Sequence, residues 1–149
     1  MNDEDVPSPI DLRTEADAKA WAESAEVARP WRSQLRATFA AELDRLPAGS
    51  SVLELGAGPG FLAERVLETC TNIERYTLLD FSEPMLNMAR TRLARFDAAD
   101  FVQRDFKSPG WNEGLGTYRA IVAMQAIHEI PEGFLSTVDF ALHDGAGAA

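Results

Sequence analysis

Apolar positions along this chain follow two different periods. Between residues 14 and 46 they recur at helical spacing, and from residue 51 onward short solid apolar runs alternate with helical stretches. A first helix is expected over 14–27, rich in Ala and Glu, with Thr14 as its cap and Asp17 three residues on. Pro30 ends it, since proline brings no N–H to the helical ladder. A second helix is expected over 31–46, with Trp31, Leu35, Phe39, Leu43 and Leu46 at near-helical spacing. Pro47-Ala48-Gly49-Ser50 reads as a turn.

Four strands are expected after that turn: Ser51 to Leu55, Tyr76 to Asp80, Ala99 to Gln103, and Arg119 to Met124. A helix from Phe61 to Cys70 carries Leu62, Val66 and Cys70 on one face. Another runs from Pro84 to Phe96, opened by Ser82 and by a proline in its first turn. Nearly continuous apolar strands alternating with helices predict an α/β fold whose parallel sheet is buried on both faces. Crossovers in such sheets are right-handed. Four regions are expected: a mobile acidic lead-in over 1–12, N-terminal helices over 13–48, the sheet domain over 49–142, and a low-complexity tail over 143–149. No internal repeat is present.

Composition narrows the function classes. The chain has 149 residues, enough for one domain with a sizeable core. Its net charge of -10 argues against nucleic acid as a general partner, because phosphate backbones select Lys/Arg patches. No apolar run approaches the roughly 20 residues that span a bilayer, so no membrane role is expected. The acidic start and the single cysteine, Cys70, point to the cytoplasm. His128 and His143 with scattered carboxylates form no metal-ligand spacing, and no metal is expected.

Gly56-Ala57-Gly58-Pro59-Gly60 lies between a strand and a helix. Glycine allows a backbone to turn sharply there and still lie against a ligand, and the next helix offers free N–H groups to an anion. Loops at the carboxyl ends of parallel strands are where such sheets bind ligands. A dinucleotide loop of the form G-x-G-x-x-G would need glycine where Phe61 stands. Asp80 ends the second strand, 20 residues beyond Gly60, where a carboxylate can accept from both hydroxyls of a ribose. It supports a nucleoside ligand without choosing among them, and could equally be a solvated strand end. Phe81 and Met85 could wall an adenine, or Met85 could be helix core.

Four segments together resemble the class I S-adenosyl-L-methionine-dependent methyltransferases, most of all the small-molecule enzymes of that family. They are Leu53-Glu54-Leu55-Gly56-Ala57-Gly58-Pro59-Gly60, then Leu79-Asp80-Phe81-Ser82-Glu83-Pro84-Met85-Leu86, then Gln103-Arg104-Asp105-Phe106, then Ile121-Val122-Ala123-Met124-Gln125-Ala126-Ile127-His128. The resemblance covers about residues 35–130 and implies S-adenosyl-L-methionine as cofactor. It implies that Glu54 and the backbone of Gly56, Ala57, Gly58 and Gly60 hold the methionine end and that Asp80 takes the ribose. Asp105 would accept from the adenine amino group, Phe106 would offer its backbone N–H, and Gln125 and Ala126 would line the sulfonium side. His128, followed by Glu129, is the one weak catalytic candidate, as an acceptor of a proton or merely as a polar residue opening a helix. Trp111 could meet the acceptor or cover the core.

The family's sheet has seven strands in the order 3-2-1-4-5-7-6, and four of them, 3-2-1-4, are legible here. Arg119 stands where the family often has an acidic residue. The reading is therefore of a three-layer methyltransferase sheet truncated after strand 4, not a competent enzyme by itself, that could self-associate through the strand 4 edge. Its reaction would be methyl transfer to a small-molecule acceptor. A non-catalytic cofactor-binding fragment is the alternative, and a nicotinamide-dependent oxidoreductase is the more distant one.

Overall fold

A computed structural model of the chain describes residues 11–124. Helices α1 (Glu15–Ala28) and α2 (Trp31–Leu43) come first. There follow β1 (Ser50–Leu55), α3 (Phe61–Thr69), β2 (Ile73–Asp80), α4 (Glu83–Arg92), β3 (Ala99–Gln103) and β4 (Ala120–Val122). Thr14 caps α1, its side chain accepting from the Asp17 N–H. The four strands form one parallel sheet in the order β3-β2-β1-β4. No helix among the described residues is long and apolar enough to cross a membrane.

Element ends differ from the sequence pattern for local reasons. The second helix stops at Leu43, because Asn72 donates its side-chain N–H groups to the carbonyls of Leu43 and Leu46 at 2.9 and 2.8 Å. The Leu43 carbonyl also accepts from the Leu46 N–H at 3.1 Å, so the chain turns there and does not continue the helix. β2 starts at Ile73, three residues earlier than its apolar run, because Ile73 pairs with Ser50. β4 is only three residues long, since its pairing with β1 is confined to Val52–Glu54. α4 stops at Arg92, where Leu93 leaves helical geometry.

Strand periodicity sorts the sheet's side chains onto two faces. Val52, Tyr76, Leu78 and Val122 face one core, filled by Ala40 and Leu43 of α2, Leu62, Ala63 and Val66 of α3, and Leu86 and Ala89 of α4. Leu53, Leu55 and Leu79 face the other, where Phe106, Trp111 and Tyr118 from the segment between β3 and β4 cover them. Thus, among the described residues, the helices lie on one face and an irregular segment covers the other. Each fully buried Val or Leu contributes roughly 1.5–3 kcal/mol of apolar transfer. Both core layers end at the carboxyl edge of the sheet, where β1 and β2 lead into loops.

Candidate functional site

The β1–α3 loop takes three left-handed turns, with φ of +67°, +59° and +90° at Gly56, Gly58 and Gly60. The glycines have different tasks. A Cβ at Gly58 would meet nothing within 4 Å, so that face of the loop is bare and open. At Gly60 a Cβ would come within 3.2 Å of the Ala89 Cβ, so this glycine lets α3 lie close to α4. Asp80 holds the loop from across the sheet. Its two carboxylate oxygens accept from the Gly58 N–H at 2.8 Å and the Ser82 N–H at 2.9 Å, and the residue is buried. The Ala57 N–H donates to the Leu79 carbonyl at 3.0 Å, and Arg92 donates to the Pro59 carbonyl at 3.1 Å. The bare face is therefore fixed in place before any ligand arrives.

In front of the loop lies a cavity of about 300 Å³, within the range of small-molecule sites. Glu54, Gly56, Ala57, Gly58, Asp80, Phe81 and Met85, all singled out in the sequence, line it. Met85 is also fully buried, so it serves both wall and core. Three expected residues stand elsewhere. Gly60 packs against α4. Asp105 is exposed and accepts from the Lys107 N–H at 2.9 Å, holding a turn. The Phe106 ring is buried edge-on against Trp111, with ring centroids 4.9 Å apart. Trp111 is likewise buried in that second core, which answers the question its position raised. Gln125, Ala126 and His128, with Glu129 and the tail, lie outside the described residues.

Sequence reasoning missed the opposite wall. Leu12, Trp21 of α1, Arg29 between the helices, and Arg32 and Arg36 of α2 line the cavity from the N-terminal side. Part of the signal was present: Arg32 and Arg36 are four apart in α2, which puts them on one helical face, while Arg29 stands in the break between the two helices. The Arg32 guanidinium lies 5.1 Å from the Trp21 ring centre, and Arg36 lies 5.5 Å from that of Phe61. On the same ring, Arg92 sits at 4.2 Å. Phe61, where a dinucleotide loop would carry its third glycine, is thus a structural ring flanked by two cations. Leu12 is tied in place by the Ser82 hydroxyl, which donates to its carbonyl.

The most unusual group is Glu54. It is only 3% exposed and accepts from the Tyr76 hydroxyl at 2.8 Å. Burial pushes its carboxyl up to about 8, and the negative Asp80 adds to that rise, while the Tyr76 hydrogen bond opposes it. Burial likewise raises the Tyr76 phenol, with the nearby Glu54 contributing. At neutral pH Glu54 is mainly a neutral acid.

Residues 52–143 match the family model described as methyltransferase domain. The chain belongs to that family. Its strand order is that of the class I, Rossmann-like methyltransferases, for which S-adenosyl-L-methionine is the methyl donor. Curated relatives include two non-reducing polyketide synthases of Penicillium brasilianum, prhL and ausA, each 29% identical over 86 residues. The match spans 55% of this chain and 4% of either synthase. Three solved structures illustrate the shared fold. A candidate S-adenosyl-L-methionine-dependent methyltransferase from Methanococcus maripaludis has a TM-score of 0.65 at 16% identity, over 93% of this chain and 62% of that one. The DhpI–SAM–HEP complex has 0.58 at 23%, over 90% and 56%. A Geobacter sulfurreducens methyltransferase in complex with S-adenosyl-L-homocysteine has 0.55 at 24%, over 74% and 44%. The chain spans less than two thirds of the length of each of these relatives.

Proposed function

We propose that this cavity holds S-adenosyl-L-methionine and that the domain transfers its methyl group to a small-molecule acceptor. The observation that carries the reading is the bare outer face of Gly58, open to the cavity and fixed by Asp80. A Cβ there would fill the space into which a ligand must come, and the sequence keeps that space clear.

In this reading Glu54 and the backbone of Gly56–Gly58 meet the methionine end. Asp80, which accepts two backbone N–H groups and lines the cavity, meets the ribose. Phe81 and Met85 wall the adenine. The cofactor supplies a methyl group already activated on a sulfonium, so the residues need only bind, orient and exclude water. The helix-side wall of Trp21, Arg29, Arg32 and Arg36 contributes to that exclusion. The similarity to segments of two polyketide synthases supports a small-molecule acceptor.

The test is calorimetry with S-adenosyl-L-homocysteine against NAD, followed by a methyl-transfer assay over a broad acceptor panel. Micromolar binding of the homocysteine compound, with none of NAD, is the expected result. Folded protein giving no heat and no thermal shift with the homocysteine compound sinks the reading. Binding without turnover would leave a cofactor-binding domain in place of an enzyme. Among the described residues β4 pairs only with β1, and association of two copies along that strand is a second expectation, read by sizing chromatography.

A further inference from the structure

Glu54 is a buried carboxyl in the cavity wall that accepts from a neutral donor, the Tyr76 hydroxyl. From β2 come the Tyr76 hydroxyl at 2.8 Å and the charge of Asp80. On β4 its register partner is Val122, which is apolar. From α3 the cavity is lined by Phe61 and Leu62, and from the helix side by Arg29, Arg32 and Arg36. The residue is 3% exposed, and burial favours the protonated form of a carboxyl.

We propose that Tyr76 is a positioning residue for the cofactor site, turning the buried Glu54 carboxyl toward the cavity, and that loading the cofactor expels the proton of that carboxyl. This rests on reading the cavity as the cofactor site. The chemistry closes simply: Glu54 gives up its O–H proton to water or buffer, the carboxylate stays, and the ammonium or sulfonium of the ligand becomes its counter-ion. No covalent bond to the ligand forms. The binding face of the ligand must then be cationic, which separates the donor and its amino-acid-bearing product from neutral nucleosides. Tyr76 keeps the carboxyl turned toward the ligand in both states, because its hydroxyl donates to either form.

The experiment is titration calorimetry on the full 149-residue chain in buffers of differing ionisation heat, which counts protons released per ligand. S-adenosyl-L-homocysteine, which keeps the ammonium, is the main probe, and 5′-methylthioadenosine, which lacks it, is the neutral control. At pH 6.5 close to one proton should be released with the first and none with the second. Affinity for the first should rise by up to tenfold per pH unit and level off above about pH 8. In Glu54→Gln the release should vanish and the profile flatten. In Tyr76→Phe the levelling-off should move to higher pH, since the lost hydrogen bond had opposed the rise of the Glu54 carboxyl. A merely structural Tyr76 would lower stability and leave that profile in place. Binding by the parent without proton release overturns the proposal and leaves the cofactor site standing. Undiminished release from Glu54→Gln overturns it too. Absence of binding by either nucleoside overturns both this proposal and the reading beneath it.

Discussion

Replacing Asp80 with Asn should destabilise the ligand-free protein, although the residue sits where the sequence suggested a ribose contact. Asp80 is 7% exposed, and its two oxygens accept from Gly58 and Ser82 at 2.8 and 2.9 Å. Asn offers one carbonyl oxygen and one amide group. One of the two N–H donors must then face another donor and stay buried without its bond, at about 1–3 kcal/mol. The other bond survives but loses its charge assistance, from roughly 1.5–3 to about 1 kcal/mol. The sum is about 1.5–5 kcal/mol, centred near 3. At roughly 2–4 °C per kcal/mol for a chain of this size, the melting temperature should fall by roughly 5–15 °C. A thermal melt followed by circular dichroism, without ligand, reads this directly. The substitution should also lower the Glu54 pKa, since it removes the negative charge that helps raise it. A melt unchanged within about 2 °C would refute the claim that the glycine loop hangs on Asp80, and would return that residue to a purely ligand-facing role.

Glu54→Gln should stabilise the ligand-free protein at neutral pH. The folded carboxyl is raised from 4.5 to about 8, so the parent's stability is fully present below pH 4.5 and is lost as pH rises toward 8. By pH 7 the variant should lead by about 3 kcal/mol relative to their difference at pH 4.5, as urea unfolding at the two pH values would show. Gly60→Ala should cost about 1–3 kcal/mol, because its φ of +90° disfavours a side chain and its Cβ would press on Ala89. Gly58→Ala should cost less in unfolding, for nothing lies in its way, yet weaken S-adenosyl-L-homocysteine binding more than Gly60→Ala does, as calorimetry would report. Trp111→Ala should cost about 3–5 kcal/mol, the range for a buried aromatic, and chemical denaturation giving under 1 kcal/mol would mean that it covers no core.

The sheet was legible because each strand is a solid apolar run bounded by turn residues, and the order 3-2-1-4 followed from the family resemblance. The cavity's sheet side was legible for a related reason: Glu54, Gly58 and Asp80 stand at fixed offsets from strand ends, and spacing along a strand is geometry. What the sequence hid depends on packing between distant segments. Nothing in the local pattern around Gly60 says that Ala89 lies 3.2 Å from where its side chain would be. Asp105 sits at the end of β3 as the resemblance requires, and its carboxylate is engaged by its own turn. The partnership of Tyr76 with Glu54 could not be read either. They are 22 residues apart, and the phenol reaches the carboxyl only because β1 and β2 pair in parallel with Val52 opposite Tyr76. The arginines of the helix wall were visible as a spacing, but no spacing says which face of a helix meets a cavity.

The N-terminal helices belong to the site as much as the sheet does. Ala40 and Leu43 of α2 share one core with Val52, Tyr76 and Val66, so α2 cannot leave without opening the layer that supports β1. Asn72, at the entrance to β2, holds the last carbonyl of α2 at Leu43 and that of Leu46 in the turn beyond it, and the Cys70 thiol donates to the Ala40 carbonyl at 3.4 Å. These anchors act at the amino-terminal edge of the strands, the far end from the cavity. They fix one end of α2, and the other end carries Arg32 and Arg36 over the glycine loop. At the mouth, the Ser82 hydroxyl joins the head of α4 to Leu12, and Ser82 also accepts from the Met85 N–H. One short segment, Asp80–Ser82, therefore holds the loop floor through its carboxylate and the N-terminal strap through its hydroxyl. A change at that segment must reach both walls of the cavity, because the two walls share it as their common support.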